Sequence, residues 1–154
     1  MATNILTSTK KLFVYGVGRS GLAARAFAMR MVQLGLECFF IGETITPVVG
    51  EDDAVLIVSQ TGSTMSAVQV ANIARRVGAK VIAVTGQPTS KLAHASNVVL
   101  TLQTSGDASR PRLAPLATLF EAAAMILLDG LVAQVMERLG QTEADMRARH
   151  AIMV

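Results

Sequence analysis

The chain of 154 residues is poor in the residue types that mark several classes of protein. Its single cysteine excludes an intramolecular disulfide and a cysteine-cluster metal site, and is typical of a reducing cytoplasm. With no tryptophan and one tyrosine, it offers little aromatic surface on which nucleic-acid bases could stack. Basic residues exceed acidic ones by only 14 to 11, which is too small a surplus to predict a nucleic-acid groove. We therefore expect no nucleic-acid partner.

Uninterrupted hydrophobic runs of membrane length are also missing. The longest apolar stretch contains Glu121, Asp129 and Gly130, so we expect no membrane span. The N-terminal residues, MATNILTSTKK, lack the apolar core of a signal peptide, so we expect a cytoplasmic protein. Hydrophobic residues nevertheless make up 51% of the chain, and charged residues only 16%. One small domain does not comfortably hide that much apolar surface, which predicts a homo-oligomer.

Short apolar runs alternate with segments of helical pattern. The runs are nearly continuous, as in strands buried on both faces, and they lie at residues 11–17, 37–42, 54–59, 80–85 and 97–102. The helical segments between them are residues 22–34, 64–77 and 90–95. This alternation predicts an α/β fold, a three-layer αβα sandwich around a five-stranded parallel sheet. We expect its strand order to be 2-1-3-4-5, the order of flavodoxin-like doubly wound proteins.

We predict one domain over residues 1–154. It comprises an N-terminal lead (1–10), an α/β core (11–102), a polar loop (103–112) and C-terminal helices (113–154). Residues 113–139 form a long predicted helix that is apolar nearly all round, so we expect it to be shared between subunits. Thr142 begins a last short helix, with Asp145 three residues on as a capping-box partner.

The first candidate binding loop, residues 16–21, joins strand one to helix one. Its sequence, GVGRSG, matches the dinucleotide fingerprint GxGxxG, and Glu43 lies where a ribose-binding acid would sit. Gly18 lets the backbone approach a ligand, while Arg19 and Ser20 bring a charge and a hydroxyl to a helix N-terminus. The alternatives are NAD binding and a tight turn without a ligand.

The second candidate loop, residues 59–64, follows strand three. It carries four hydroxyls and one glycine at a helix N-terminus: Ser59, Thr61, Gly62, Ser63 and Thr64. Hydroxyls and backbone N–H groups can surround a phosphate monoester without a metal, although helix capping alone would need one hydroxyl. In a 2-1-3-4-5 sheet both loops border one crevice at the topological switch point. A dehydrogenase would need a further domain, so a sugar phosphate is favoured over NAD.

Three strings in the chain resemble the 6-phospho-3-hexuloisomerase family of the sugar isomerase (SIS) domain superfamily. They are FVYGVGRSG (13–21), FAMRM (27–31) and GETITP (42–47), with further matches at residues 115–116, 120–121 and 149–150. The resemblance implies a ketose isomerase without metal or cofactor, usually a tetramer. It would interconvert a 3-hexulose 6-phosphate and fructose 6-phosphate, in formaldehyde-fixing or pentose-forming metabolism.

The chain departs from the family pattern at three positions. Gln60 replaces a glycine of the second loop, Leu119 replaces a hydroxyl residue, and Ile152 replaces an asparagine. These departures keep a second hypothesis open, a non-catalytic SIS module that binds a phosphosugar. A third hypothesis, a small dinucleotide-binding protein, depends only on GVGRSG and Glu43.

Moving a ketone to the adjacent carbon needs a base, an enediol intermediate and an acid. Glu121 is the candidate base, since it and Asp129 are the only charges within residues 115–136, although it could instead belong to a structural ion pair. His150 is the candidate for ring opening or proton relay, by resemblance from a neighbouring subunit, or is simply solvated. Glu43 is the second candidate base. Arg19 would neutralise phosphate or steady the enediolate.

The two histidines do not suggest a metal site. His94 lies outside any motif and is expected at the surface, and neither His94 nor His150 has acidic residues at a spacing that would complete a zinc site. We therefore expect neither a metal nor a cofactor.

Overall fold

A computed structural model describes residues 1–104 and 110–152. All strand pairs in it are parallel, and the sheet order is β2-β1-β3-β4-β5, which confirms the predicted fold class and order. The strands lie close to their predicted positions: β1 (Leu12–Gly16), β2 (Cys38–Phe40), β3 (Ala54–Val58), β4 (Lys80–Thr85) and β5 (Val98–Thr101).

Helices cover both faces of this sheet. In chain order they are α1 (Ala2–Ser8), α2 (Arg19–Gln33), α3 (Met65–Arg76), α4 (Lys91–His94), α5 (Arg110–Leu113), α6 (Thr118–Arg138) and α7 (Glu143–Ala148). One core joins α1, α2 and α6 to the sheet, and a second core joins α3 and α4 to the opposite face. The result is the predicted three-layer sandwich.

The central strand shows why the apolar runs are continuous. Every residue of β3 is buried, because Leu56 and Val58 face the core under α2 and α6 while Val55 and Ile57 face the core under α3. A strand covered on both faces has no polar side. The edge strands β2 and β5 are mostly half-buried, since each has a neighbour on one side only.

Within the predicted N-terminal lead, residues Ala2–Ser8 form α1, a helix that the sequence did not indicate. Leu6 is fully buried in the core beside α6, and Thr3 Oγ1 donates to Gln134 Oε1 at 2.8 Å. A seven-residue helix carries too few turns for its periodicity to stand out, so only its packing on α6 identifies it.

The predicted helix over residues 113–139 is wrong at its start. The chain instead forms the short α5, breaks at Ala114–Ala117, and begins α6 at Thr118. Pro115 explains the break, because proline disfavours helical geometry in the residue before it and lacks an N–H. Leu116 adopts a φ of 56° within the same break. Residues 110–112 of the predicted polar loop belong to α5, and residues 105–109 lie outside the described chain.

Helix α6 is long and apolar enough, by length and composition alone, to cross a membrane. One such helix is weak evidence for a span, because the core helix of a globular protein passes the same test. Here α6 buries Phe120, Ala124, Leu128 and Val135 in the core that it shares with α1 and α2. The expected absence of a membrane span stays a prediction, favoured by this packing.

The predicted capping box begins α7. Thr142 Oγ1 accepts from the Asp145 N–H at 3.3 Å, and Asp145 Oδ2 accepts from the Thr142 N–H at 2.8 Å. Beyond α7, Arg149 Nη1 donates to the carbonyl oxygen of Gln33 at 3.1 Å. This contact holds the C-terminal segment at the C-terminal end of α2.

Candidate active site

The two candidate loops meet at the carboxyl edge of the sheet. Gly16 of β1 and Val58 of β3 are partners in the parallel register, so the loops that follow these strands start side by side. A cavity of about 170 Å³ lies between them. It is lined by residues of both loops and of the helices beside them: Val17, Ser20, Val58, Ser59, Gln60, Thr61, Thr64, Ala67 and Ala117.

Two glycines of the first loop are required by close backbone packing. A Cβ atom on Gly21 would lie 2.5 Å from the carbonyl oxygen of Gly16, and one on Gly16 would lie 2.8 Å from the backbone of Ser20 and Gly21. Gly18 has a φ of 57° and precedes α2, which places Arg19 and Ser20 in the first turn of that helix. The tight turn of α2 onto β1 thus accounts for the first and last glycines of GxGxxG without a dinucleotide.

The second loop directs hydroxyls toward the cavity. Ser59 Oγ and Thr64 Oγ1 lie 3.2 Å apart, and Thr61 Oγ1 accepts from the Ser63 N–H at 3.3 Å. Thr64 is the N-cap residue of α3, yet within the described residues its side chain makes no capping hydrogen bond. The capping alternative is therefore wrong for Thr64. Gly62, at a φ of 58°, provides the sharp turn that brings Thr64 back beside Ser59.

Glu121 is held by Arg19 on the α2–α6 side of this cavity. Arg19 Nε donates to Glu121 Oε2, and the side chain of Glu121 is 11% exposed while that of Arg19 is 65% exposed. A shallow apolar cavity of about 240 Å³ adjoins the pair, lined also by Leu22, Ala23, Ala122 and Met125. Since Arg19 precedes Ser20 and Glu121 lies one helical turn after Ala117, the two cavities are neighbours. The structure thus brings Glu121 to the border of the loop cavity, in an ion pair.

Glu43 is engaged elsewhere. Arg25 Nη1 donates to Glu43 Oε1, and the guanidinium carbon of Arg25 lies 3.6 Å from the centre of the Phe40 ring. Both carboxylate and guanidinium are about half exposed. The pairing with Arg25, which no sequence spacing indicated, gives Glu43 a role in holding the turn after β2 against α2.

His150 lies far from both loops within one chain. It follows α7, beside the contact of Arg149 with the C-terminal end of α2, whereas the loops adjoin the N-terminal end of that helix. The 15 residues of α2 span about 22 Å at 1.5 Å per residue. His150 is exposed, and its Nδ1 lies 2.9 Å from the carbonyl oxygen of Ala151. Within one chain the imidazole is therefore separated from the loops by the length of α2.

His94 is exposed, as expected, with its Nδ1 2.9 Å from the carbonyl oxygen of Ser90. Across residues 1–104 and 110–152, no three His, Cys, Asp or Glu side chains come together in a way that could hold a metal ion.

Sequence reasoning missed the hydrogen bonds that support the second loop from beneath. Thr85 and Gly86, at the end of β4, both donate hydrogen bonds to the carbonyl oxygen of Gln60. Thr85 ends an ordinary buried strand, so nothing in its sequence context distinguishes it from core residues.

An open parallel sheet with two polar loops converging at its switch point is typical of α/β proteins that bind their ligand at the carboxyl edge of the sheet. Comparison with known proteins narrows this class. The family model for the SIS domain matches residues 5–128, a range that contains all five strands of the sheet.

Relatives of known sequence match nearly the whole chain. An uncharacterised protein from Archaeoglobus fulgidus is 41% identical, covering 97% of this chain and 84% of its own. The 3-hexulose-6-phosphate isomerase of Methanocaldococcus jannaschii is 35% identical over 94% of this chain and 78% of its own. A crystal structure of a protein from Methanococcus jannaschii superposes on this chain with a TM-score of 0.91 at 32% identity, covering 99% of this chain and 84% of that one. The function of 3-hexulose-6-phosphate isomerase was inferred for that protein. The chain belongs to the SIS domain family, among its isomerases.

Proposed function

We propose that this enzyme interconverts a 3-hexulose 6-phosphate and fructose 6-phosphate. The observation that carries the proposal is the cavity between the two loops, where hydroxyls of Ser59, Thr61 and Thr64 face Ser20 at the start of α2. Hydroxyls and helix N-termini suit a dianionic phosphate ester, which accepts hydrogen bonds at its oxygens. Ser63, exposed at the loop tip, completes the predicted set.

The size of the cavity indicates which part of the substrate enters it. At about 170 Å³ it is smaller than the roughly 300–1,000 Å³ of typical ligand pockets, so it accommodates the phosphate end rather than a whole hexose phosphate. The sugar carbons then extend over Arg19 toward Glu121 at the neighbouring cavity. This arrangement places the reacting carbons beside the candidate base.

The reaction is a proton transfer between adjacent carbons. Glu121 removes the proton on C2 of the 3-ketose, the electron pair of that C–H bond forms the C2–C3 double bond, and the C3 carbonyl oxygen takes up a proton, which yields a cis-enediol. Return of the proton to C3 and loss of the O2 proton give the 2-ketose. Arg19, already paired with Glu121, stabilises the negative charge that develops on the enediolate oxygens.

We further propose that the site is completed in a homo-oligomer. Leu22 is 64% and Ile126 75% exposed, and with Leu119 and Met125 they form an apolar face on α2 and α6 beside the Arg19–Glu121 pair. Exposed apolar faces of this kind mark subunit interfaces. A second copy on this face would shield Glu121 from water and could bring its His150 to the sugar. The family resemblance implies a tetramer, placed in formaldehyde-fixing or pentose-forming metabolism of the cytoplasm.

The proposal is tested by an assay that couples formation of fructose 6-phosphate to a detectable product. Glu121→Gln keeps the size of the side chain but removes the base, so kcat should fall by about 100-fold or more while binding of fructose 6-phosphate is largely kept. Glu137→Gln, at an exposed position of the same helix, is the matched control and should match the wild-type enzyme. Full activity of Glu121→Gln would remove Glu121 as the base.

One observation favours a second candidate function, a phosphosugar-binding module without turnover. Glu121 is ion-paired in the single chain, as a structural glutamate would be. A wild-type protein that binds fructose 6-phosphate in calorimetry but converts neither sugar would establish that function instead.

A further inference from the structure

The turn between β4 and α4 lies directly beneath the second loop. Thr85, the last residue of β4, is fully buried at 0% exposure. Its Oγ1 donates to the carbonyl oxygen of Gln60 at 3.2 Å and accepts from the Gln87 N–H at 3.2 Å. A hydroxyl in this position ties the start of the second loop to the neighbouring strand.

Other contacts from the same turn and from the start of α4 hold the rest of the loop. The Gly86 N–H donates to the carbonyl oxygen of Gln60 at 2.9 Å, and the Leu92 N–H donates to that of Gly62 at 2.9 Å. Gly62 also packs tightly on Ser90, since a Cβ atom at Gly62 would lie 2.0 Å from Ser90 Oγ. Two carbonyl groups of the loop are therefore bonded to the segment beneath it, Gln60 to the β4–α4 turn and Gly62 to the first turn of α4.

The direction of these bonds matters for an anion. Carbonyl oxygens repel phosphate oxygens, whereas N–H groups and hydroxyls donate to them. Because the carbonyls of Gln60 and Gly62 are bonded to the turn and to α4 below, the hydroxyls of Ser59 and Thr64 remain on the cavity side. The same backbone without these bonds could rotate a peptide unit and present a carbonyl oxygen to the ligand.

We propose that Thr85 is a positioning residue for sugar-phosphate binding, acting through the carbonyl of Gln60 rather than by touching the ligand. This inference rests on the proposed function. Thr85 determines affinity for the phosphate end, while the chemistry at Glu121 proceeds at its own rate. A change at Thr85 should therefore act on KM and leave kcat nearly unchanged.

The test compares three variants. Thr85→Val has the same shape but no hydroxyl, and Thr85→Ser keeps the hydroxyl. The control is Thr101→Val, because Thr101 on β5 is exposed and is the residue directly paired with Thr85 in the sheet. The KM for the sugar phosphate and the Kd for fructose 6-phosphate and for inorganic phosphate, by calorimetry, should rise about tenfold in Thr85→Val, as loss of a buried hydrogen bond implies. Thr85→Ser and Thr101→Val should stay within about twofold of wild type.

Melting temperatures separate positioning from simple packing. A lower melting temperature of Thr85→Val with unchanged KM and Kd would overturn the proposal, as would equal effects of Thr85→Val and Thr85→Ser. If Thr85→Val does not fold, Thr85→Cys takes its place, because a thiol is only a weak hydrogen-bond donor. The same changes in KM and Kd are expected of it, and the same outcomes would overturn the proposal. Wild-type binding of fructose 6-phosphate without turnover would refute the isomerase function alone, since Kd still tests Thr85. Failure of the wild type to bind either ligand would refute both.

Discussion

At the scale of single residues, the sequence indicated which residue types could bind phosphate but not which side chains would pair with each other after folding. The hydroxyls of Ser59 and Thr64 were recognisable as candidate phosphate ligands because they exceed what helix capping needs. The ion pairs of Arg19 with Glu121 and of Arg25 with Glu43 were not predictable, because each joins residues from different elements. A pattern along the chain carries no information about which charge a guanidinium meets after folding.

Cys38, on edge strand β2, gives a prediction at this scale. Burial raises the pKa of its thiol to about 12, from an ordinary value of 9.0, and a backbone hydrogen bond from Phe39 offsets only part of that rise. The thiol is therefore protonated at neutral pH, and the thiolate is the reactive form. We expect Cys38 in the folded protein to react with a disulfide reagent at least about 100-fold more slowly than in denaturant. Equal rates in both conditions would show that the thiol is accessible and that its pKa is not raised.

At the scale of elements, periodicity located long helices and buried strands but not their ends. The apolar pattern of residues 113–139 continues through Pro115, so it could not show that α6 begins only at Thr118. Helix α1 was missed because seven residues give too short a pattern. The capping box of α7, in contrast, depends on local bonds between Thr142 and Asp145, and the local sequence was sufficient to predict it.

The same capping box predicts a pH dependence. Hydrogen bonds from the Thr142 side chain and backbone hold the pKa of Asp145 below its ordinary value of 3.8. The ionised carboxylate therefore stabilises the folded state. This stabilisation is fully present above the ordinary pKa of an aspartate, and it is lost as the pH falls through the lowered pKa of Asp145 in the folded protein. We expect Asp145→Asn to lower the melting temperature at pH 7 and the difference from wild type to narrow toward pH 3. The exposed Asp52→Asn serves as control. A difference that widens in acid would contradict the assignment.

At the scale of the whole molecule, the sheet order places both candidate loops at one edge and His150 at the other end of α2. A single chain therefore brings the loops and Glu121 together but leaves His150, the proposed proton relay, away from them. The exposed apolar face on α2 and α6 lies where a second copy could supply it. The proposed oligomer and the proposed site are thus one hypothesis.

That hypothesis predicts the effect of a charge on the apolar face. Ile126→Asp should shift the protein to a smaller assembly in size-exclusion chromatography with light scattering, because a buried, unpaired carboxylate destabilises an interface. Isomerase activity should fall with the assembly. Ile73→Asp, at an exposed isoleucine of α3 on the opposite layer, should leave both unchanged. A wild-type protein that is a monomer in solution would refute the interface.

Local composition was enough to predict the parallel sheet and the two polar loops, because buried strands need continuous apolar residues and sharp turns need glycine. Folding decided the rest: the pairing of Glu121 with Arg19, the support of Gln60 by Thr85 and the remoteness of His150. These features join residues far apart in the chain, and only packing in three dimensions sets the distance between such residues.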